Sequence, residues 1–397
     1  MNSIKVLYAH NYYLQSGGED TAFNAEVNLL RDHGSEVLEY VEDNHNIASR
    51  SQLSVALQTV WSWDSYKKIK NTLCRERPQI AHFHNTFPLL SPAVYYACHE
   101  ENVPVIQSLD NPRLLCPSAN FYRDGKLCQD CLGKTPPWPS VLHACYHGSH
   151  MQTAVVASML TFHRWRKTWK RQVDCYLVAT EFYRRKFIEG GLPAKNIVVK
   201  PHFIYPDPGA GSEKSPGEYV LFIGRLDPEK GVRTMLDAWK ALPHIPLKIR
   251  GDGQLEEEAR EFIRSTQPTS VELIQRLPRE GLTALIKNAR LLIWPSNGYY
   301  ETFGYVAVEC FANGVPVIAS DIGVMSEIVT NGITGLHFTP GDSSDLAEKV
   351  KWAWEHPGTM AEMGRNARKE YELKYTAERN YNMLMDIYHT AIGHSNG

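Results

Sequence analysis

The 397-residue sequence contains no apolar run approaching 18 residues and carries little net charge. A helix that crosses a bilayer needs about 20 predominantly apolar residues, so we expect no membrane-spanning segment. The first five residues enter a predicted strand without the basic and apolar regions of a signal peptide, and we therefore expect a cytoplasmic chain. A formal net charge of −2 argues against a nucleic-acid binder, which would have a markedly basic domain.

Two common nucleotide-binding signatures are absent from the amino-terminal region. The predicted strand Val6–His10 is followed by Gly17 and Gly18 before a predicted helix from about Thr21 to His33. An NAD-binding or ATP-binding chain would show a G-x-G-x-x-G fingerprint or a P-loop here, and neither is present. The two glycines remain candidates for contact with another kind of nucleotide-containing ligand.

Two glutamates near the carboxyl end of a predicted strand are the most informative residues. The strand Leu291–Ser296 is short and apolar, and Glu301 follows it in a loop. The next segment reads as a helix as far as Gly314, with Glu309 about two turns inside it. The start of a helix attracts anions, so two carboxylates there suit a ligand with both phosphate and hydroxyl groups, such as a nucleotide-sugar. The alternative is that both glutamates are merely solvated.

A loop with two cations follows another predicted strand. After the strand 219–224, Arg225 and Lys230 precede a helix that opens at Gly231. Arginine offers forked donors and lysine a point charge. Beside a helix start, the two cations would therefore neutralise a diphosphate.

Together these stretches resemble family 4 of the glycosyltransferases, which are retaining enzymes of the GT-B fold. The most diagnostic stretches are 224–232, 294–309 and 314–335. The resemblance implies the α/β fold class, with two Rossmann-like doubly wound domains that face each other across a deep cleft. It also implies a C-terminal helix that crosses back to the N-terminal domain.

The resemblance assigns roles to individual residues. The position matching Glu301 contacts the hydroxyls of the donor sugar, and the position matching Glu309 holds the ribose. Arg225 and Lys230 match the positions that bind the diphosphate. The donor-binding candidates are Gly17, Gly18, Gly224, Arg225, Lys230, Gly251, Gly253, Arg276, Leu277, Glu301, Thr302, Phe303, Gly304, Tyr305 and Glu309. The catalytic candidates are Glu301, Asp110, Arg225 and Lys230, without a catalytic metal.

Strand-like apolar runs alternate with helical segments along the chain, which indicates parallel, doubly wound sheets. These runs are 4–10, 80–84, 103–108, 175–179, 219–224, 247–251, 291–294 and 315–319. A Pro/Gly/Ser-rich stretch at 206–217 is the predicted linker. The predicted domains are an acceptor-binding domain at 1–205, to which a helix at 377–397 returns, and a nucleotide-sugar-binding domain at 218–376.

The acceptor side departs from the family at one position. Asp110 stands where relatives usually have a histidine that orients or deprotonates the acceptor. A carboxylate accepts the same hydrogen bond, so Asp110 is a candidate for that role. The alternative is a turn aspartate before Asn111. His84 and Asn85, at the end of a predicted strand, are the other acceptor-side candidates.

The chain has eight cysteines, and in a chain expected to be cytoplasmic they should be reduced thiols. Four of them, Cys116, Cys128, Cys131 and Cys145, cluster in a region rich in loops. Four thiolates would suit a structural zinc ion that holds a segment with little core. Buried free thiols or disulfides are the alternatives, because only one Cys-x-x-Cys is present.

A basic segment at 151–171 contains five cations and no acidic residue. At helical spacing, an apolar stripe separates from most of these cations. The stripe consists of Val155, Met159, Phe162, Trp165, Trp169 and Val173. A basic amphipathic helix with tryptophans fits adsorption to an anionic membrane surface through 155–173. The alternative is that the stripe packs on the domain core.

We interpret the chain as a metal-independent, retaining glycosyltransferase of bacterial polysaccharide biosynthesis. It would transfer a hexose, with UDP-glucose as the favoured donor, to a glycan or a polyprenyl-diphosphate-linked acceptor at the inner face of the cytoplasmic membrane. No cofactor besides the nucleotide-sugar substrate and no nucleic-acid partner are expected. A sugar-nucleotide epimerase of the same fold and a catalytically silent nucleotide-sugar-binding subunit are the alternatives.

Overall fold

The computed structural model describes residues 4–15, 17–210, 217–266 and 270–395. The strands are β1 Lys5–Tyr12, β2 Glu36–Asp43, β3 Ile80–Phe83, β4 Val105–Ser108, β5 Tyr122–Arg123, β6 Lys126–Leu127, β7 Cys175–Val178, β8 Ile197–Val199, β9 Tyr219–Ile223, β10 Leu247–Arg250, β11 Val271–Ile274, β12 Ala289–Trp294, β13 Val317–Ser320 and β14 Gly335–Phe338. The α-helices are α1 Gly18–Asp32, α2 Gln52–Val60, α3 Trp63–Glu76, α4 Ala93–Glu100, α5 Trp138–Leu142, α6 His150–Trp165, α7 Thr168–Arg171, α8 Glu181–Glu189, α9 Val232–Trp239, α10 Glu256–Thr266, α11 Arg279–Lys287, α12 Tyr305–Ala312, α13 Val324–Ile328, α14 Ser343–Glu355, α15 Pro357–Lys374 and α16 Ala377–Ser395.

The chain forms two compact units. Unit 1 comprises Met1–Phe121, Cys128–Pro201 and Asn380–Gly397, and unit 2 comprises Tyr122–Leu127 and His202–Arg379. The predicted boundary at 205 therefore differs by four residues. The antiparallel pair of β5 and β6 groups with unit 2 although the sequence on both sides of it belongs to unit 1.

The predicted linker is only partly described, because 211–216 lie outside the described residues. The described part of the linker, which precedes residue 211, is bonded to other residues of unit 2. Arg368 forms an ion pair with Asp207 at 2.7 Å, and Lys287 Nζ donates to the carbonyl of Pro208 at 2.7 Å. These bonds fix the start of the stretch that the composition predicted as a linker.

Each unit is built on a six-stranded sheet in which every described pairing is parallel. The order in unit 1 is β2-β1-β3-β4-β7-β8, and in unit 2 it is β11-β10-β9-β12-β13-β14. Both sheets are doubly wound, as predicted. Their strand order reverses once, between β1 and β3 in unit 1 and between β9 and β12 in unit 2. Ligands of such sheets bind outside the carboxyl ends of the strands at this reversal.

Amphipathic helices cover the sheets. In α9, Val232, Met235, Leu236 and Trp239 are buried and belong to the core of unit 2 together with residues of β9 and β10. Their spacing of three and four residues places them on one helical face. This packing fixes the first turn of α9 at the end of β9, where the loop with Arg225 and Lys230 lies.

The last helix belongs largely to unit 1, since α16 joins that unit from Asn380 onward. Asn380 donates to the carbonyl of Pro201 at 2.6 Å and accepts from Lys200 Nζ at 3.1 Å. Farther along, the Tyr388 hydroxyl lies 2.7 Å from His82 Nδ1. Within the described ranges, no helix has the length and apolar character needed to cross a bilayer.

Candidate functional site

The reversal of strand order in unit 2 brings together the two loops that the sequence singled out. The loop after β9 carries Lys230, and the loop after β12 carries Glu301. Lys230 Nζ donates to Glu301 Oε1 at 2.7 Å. The same oxygen accepts from the Ser296 hydroxyl at 2.6 Å and from Trp294 Nε1 at 3.4 Å. In the described part of the chain the other oxygen, Oε2, has no hydrogen-bond partner, so it remains available to a ligand.

Both members of this pair are charged at neutral pH. Burial raises the pKa of Glu301, but the Lys230 ammonium and the hydrogen bonds from Ser296 and Trp294 outweigh it and leave the pKa below its usual value. Burial lowers the pKa of Lys230, and the Glu301 carboxylate more than compensates. The Lys230 ammonium also lies 4.9 Å from the centre of the Tyr299 ring. A cation and a carboxylate are therefore held with little solvent around them.

Two glycines explain why these loops approach so closely. Gly304 has φ +91°, and a Cβ there would lie 2.0 Å from Cη2 of Trp294. Gly231 has φ +71°, and its Cβ would lie 1.8 Å from the carbonyl oxygen of Pro295. Other residues would be strained in both backbone conformations. The loop after β9 thus packs directly on the end of β12 and holds Lys230 beside Glu301.

Arg225 has a different environment from Lys230. Its guanidinium is mostly exposed and lies 2.6 Å from Asp227 Oδ2 and 3.1 Å from Glu229 Oε1. The guanidinium end of these pairs is screened by solvent, which weakens them, whereas the Asp227 and Glu229 side chains are only 9% and 18% exposed. Arg225 can turn toward a phosphate in competition with these two carboxylates.

Helix α12 begins beside this pair with Gly304 as its N-cap. Among the described residues, the backbone N–H groups of Phe303 and Gly304 donate to no protein acceptor. Glu309, two turns along, has no hydrogen bond to its carboxylate in the same ranges. Burial raises the pKa of Glu309, while Arg279 and Arg250 lower it less strongly. The helix thus offers unpaired donors at its start and an unpaired acceptor inside it.

The remaining donor candidates of unit 2 lie on neighbouring loops. A Cβ on Gly251 would lie 1.8 Å from the carbonyl oxygen of Gly224, and one on Gly253 would lie 2.8 Å from the Asp227 carboxylate. Arg276 lines a groove of about 260 Å³ at the ends of β10 and β11. Leu277 follows Arg276 in the chain, and Thr302 follows Glu301.

Sequence reasoning missed two arginines of that groove, Arg250 and Arg260. In the described structure the buried Nε of Arg250 has no hydrogen-bond partner. The signal was present for Arg250, since it lies at the end of the predicted strand 247–251. Ser296, Trp294 and Tyr299 were not assigned roles either, although each lies within seven residues of Glu301.

The acceptor-side candidates of unit 1 meet at the end of β3. His84 Nδ1 lies 2.8 Å from Asp110 Oδ2, and His84 Nε2 lies 3.4 Å from Glu26 Oε2. Lys200 Nζ donates to the other Glu26 oxygen. Burial lowers the pKa of His84, but Asp110 and Glu26 together raise it to about 10. His84 is therefore an imidazolium that fixes the Asp110 carboxylate.

Asn85 and the two amino-terminal glycines hold backbone in place. The Asn85 amide donates to the Asn11 carbonyl at 2.8 Å and accepts from the Phe87 N–H at 2.9 Å. Gly17 is the N-cap residue of α1, which begins at Gly18. Both glycines belong to unit 1, whereas the other donor candidates belong to unit 2.

A small pocket of about 40 Å³ adjoins Asp110 in unit 1. Glu19 and Asn111 line it and are hydrogen-bonded to each other at 2.8 Å. Burial, and then the Asp110 charge, raise the pKa of Glu19. Arg113 also lines the pocket, and its buried Nε has no partner in the described ranges. The pocket can thus offer hydrogen-bond acceptors and one cationic donor to a polar molecule.

The proposed zinc ligands do not come together. Cys116, Cys128, Cys131 and Cys145 form no disulfide within the described residues. In the same residues, the only group of three or more candidate metal ligands within 4.8 Å consists of Glu26, His82 and His84. The four cysteines are therefore better described as thiols outside any disulfide, of which Cys116 and Cys131 are buried. Local spacing could not show whether the loop would bring their sulfurs within ligand distance of one another.

That histidine and glutamate group is already occupied by protein contacts. His82 contacts the Tyr388 hydroxyl at 2.7 Å and the Ser108 hydroxyl at 2.9 Å. Glu26 is bonded to Lys200. Burial lowers the pKa of His82 well below its ordinary value, so a neutral His82 lies beside the charged His84.

The predicted membrane stripe is largely part of the core. Met159, Trp169 and Val173 are buried, and of the six stripe residues only Trp165 is highly exposed. The helix also ends at Trp165, and a short second helix, α7, follows. Helical periodicity identified the apolar residues, but they do not share one environment: Met159, Trp169 and Val173 pack in the interior of unit 1, whereas Phe162 and Trp165 line a surface groove.

Comparison with known proteins finds a family match that lies within unit 2. Residues 208–370 match the family model described as "Glycosyl transferases group 1". The D-rhamnosyltransferase WbpZ of Pseudomonas aeruginosa is 32% identical over 166 residues, which are 42% of this chain and 43% of that protein. The chain thus spans less than half the length of the curated relatives it matches first.

Solved structures resemble the chain over almost its full length. A glycosyltransferase from Rickettsia africae ESF-5 aligns with a TM-score of 0.72 at 14% identity and covers 99% of both chains. The complex of Anabaena Alr3699/HepE with UDP aligns with a TM-score of 0.69 at 17% identity and covers 98% of this chain and 100% of that chain. The chain has the GT-B fold. In GT-B terms, the Lys230–Glu301 pair lies at the strand reversal of the C-terminal Rossmann-like unit.

Proposed function

We propose that the chain is a glycosyltransferase that transfers a hexose from a nucleotide-sugar to a glycan or lipid-linked acceptor, with retention at the anomeric carbon. The observation that carries the proposal is the buried Lys230–Glu301 pair beside the start of α12. It offers a cation for phosphate and a carboxylate oxygen, Oε2, for a sugar hydroxyl. The 208–370 match and the GT-B fold support the same conclusion.

UDP-glucose is the donor we propose. Anabaena HepE, which shares the fold, has been crystallised with UDP-glucose. In this chain, Glu309 would accept from the ribose hydroxyls, because its carboxylate has no hydrogen bond in the described ranges. The groove lined by Arg250 and Arg276 lies at the ends of the adjoining strands and would receive the base.

The chemistry would depend on stabilising the leaving group. As the bond between the anomeric carbon and the diphosphate breaks, negative charge grows on the phosphate oxygens. Lys230, Arg225 and the N–H groups at 303–304 would stabilise that charge, which is stronger in the transition state than in the bound substrate. No protein metal site takes part in this assignment.

On the acceptor side, Asp110 would accept a hydrogen bond from the attacking hydroxyl. His84 would act as a positioning residue, because its imidazolium fixes the orientation of the Asp110 carboxylate. Arg113 would add a donor to the same pocket. The transferred proton would pass to Asp110 or to the departing phosphate, so charge balances without an added base.

A panel of nucleotide-sugars tests the proposal, with release of UDP or GDP and the shift in melting temperature as readouts. We expect UDP-glucose to give the largest shift, and UDP release to require an acceptor. EDTA should leave turnover unchanged. Conversion of the donor without acceptor would indicate an epimerase, and donor binding without turnover under any condition would indicate a silent binding subunit.

A further inference from the structure

An exposed apolar surface lies on α5 and α6 of unit 1, on the side of α6 opposite the buried residues Val156, Leu160 and His163. Trp138, Leu142, Met151 and Trp165 are between 52% and 79% exposed. A groove of about 620 Å³ is lined by residues of both helices, including Trp138, Leu142 and Trp165. Soluble monomers rarely leave so many large apolar side chains in one exposed patch.

The aromatic part of this surface continues beyond the groove. Trp165 lies 6.5 Å from Phe162, Phe162 lies 6.1 Å from Trp61, and Trp61 lies 5.5 Å from Trp63, measured between ring centres. Trp63 is itself 61% exposed. Ring contacts through the half-buried Phe162 and Trp61 therefore link the exposed Trp63 to Trp165, which lines the groove together with Trp138.

The sequence that forms α5, α6 and α7 of this surface carries charge of one sign. Residues 131–173 include six lysines and arginines and no aspartate or glutamate. Lys167, Lys170 and Arg171 are exposed and form no ion pair within the described part of the chain. Lys134 lies 5.1 Å above the Trp138 ring. The apolar surface is thus bordered by cations that no protein carboxylate neutralises.

We propose that this surface binds an anionic lipid bilayer, with the tryptophans and the groove entering the acyl boundary and the cations meeting the lipid phosphates. Indole rings favour the membrane interface because one edge is apolar and the N–H is polar. This inference rests on the proposed function, since it supplies the location at which a lipid-linked acceptor would be met.

Charge complementarity selects this occupant over a second copy of the chain. In a two-fold symmetric dimer the same patch faces itself, which would bring Lys167, Lys170 and Arg171 of both copies into one interface. An anionic bilayer offers opposite charge together with an apolar interior. The lipid phosphates would contact the cations while the acyl chains fill the groove.

The test is co-sedimentation of the full chain with vesicles of phosphatidylglycerol and phosphatidylcholine in equal amounts, at low and high salt. Replacing Lys167, Lys170 and Arg171 with glutamine should weaken binding about 100-fold at low salt, because each cation near an anionic surface strengthens it roughly fivefold. The double variant Leu142→Ser and Trp165→Ser should weaken binding about tenfold or more. Wild-type binding should fall as salt screens the charges.

Matched controls come from unit 2. Ile333→Ser with Leu373→Ser removes two similarly exposed apolar residues. Substituting Lys351, Arg365 and Lys369 with glutamine removes three exposed cations. Both controls should bind vesicles as the wild type does, and every variant should bind UDP normally by calorimetry. The UDP measurement separates failure of the membrane surface from failure of the proposed function.

Three results would overturn the proposal. The wild type would fail to sediment with anionic vesicles at low salt, or it would bind pure phosphatidylcholine equally well. Alternatively, light scattering would show a dimer that the Leu142→Ser and Trp165→Ser variant abolishes while vesicle binding persists. In that case the surface would join two copies of the chain.

Discussion

Replacing Glu301 with glutamine tests the central pair most directly. The substitution preserves the size of the side chain and a polar group for Ser296, but it leaves the Lys230 ammonium buried without its counter-charge. Breaking a buried ion pair by removing one partner costs about 3–5 kcal/mol. Because the amide can still accept the hydrogen bond from Ser296, we expect the free energy of unfolding to fall by about 3 kcal/mol, the lower end of that range. For a domain of this size the melting temperature should fall by roughly 6–12 °C, at 2–4 °C for each kcal/mol.

The same change should strengthen the binding of free UDP. In the wild type, Lys230 donates to Glu301 at 2.7 Å, so a diphosphate must compete for that ammonium. In Glu301→Gln the diphosphate becomes the only strong acceptor, and a charge-assisted hydrogen bond contributes about 1.5–3 kcal/mol. UDP should therefore bind about tenfold or more tightly, and a saturating concentration should raise the melting temperature more than in the wild type.

Thermal unfolding with and without UDP, combined with calorimetry, measures both effects. Glu309→Gln is the matched control, because its carboxylate has no hydrogen bond in the described ranges and burial raises its pKa. The control should keep its melting temperature and bind UDP more weakly. If Glu301→Gln has the same melting temperature as the wild type, or binds UDP more weakly, the pair does not hold the donor as we infer.

Three further predictions concern other parts of the two units. Arg225→Ala should lower kcat/KM for the donor at least about tenfold but change stability by less than about 1 kcal/mol, and normal kinetics would remove Arg225 from the donor site. The pKa of His84 is raised to about 10, so its protonation stabilises the fold fully below about pH 6.5, and this contribution is lost as pH rises through about 10. Denaturant unfolding should show more than about 1 kcal/mol of that loss between pH 7 and pH 10, and His84→Gln should lack it; equal losses in the two proteins would contradict the pairing with Asp110. Gly304→Ala should destabilise by about 2 kcal/mol or more, because its methyl group would meet Trp294 at 2.0 Å, and an unchanged melting temperature would refute that packing.

The interior of both sheets could be predicted from local pattern, and the edges could not. The eight strand-like runs correspond to β1, β3, β4, β7, β9, β10, β12 and β13, which are the interior strands. Six strands were missed: β2, β8, β11 and β14 are the edges of the two six-stranded sheets, and β5 and β6 form the separate two-stranded pair. Interior strands of a parallel sheet are covered on both faces and read as continuous apolar runs. An edge strand such as Glu36–Asp43 has acidic residues interspersed among its apolar ones and lacks that signal.

The loops with the candidate site residues were also evident from the sequence, because they follow the predicted interior strands. The pairing of their side chains was not. Lys230 and Glu301 are 71 residues apart, and His84 and Asp110 are 26 apart. Which loops become neighbours depends on strand order, and strand order is set by packing of the whole unit.

Only the tertiary structure decided what covers each apolar face. Helical periodicity in 155–173 showed that one face is apolar, but it could not show that Met159 and Trp169 would be buried inside unit 1 while Trp165 would stay largely exposed. The cysteine cluster has the same limit, since four thiols close in sequence need not bring their sulfurs together. Local sequence determines the faces and the loops because they depend on neighbouring residues. The partners of those faces depend on contacts between distant segments, which exist only once the chain has folded.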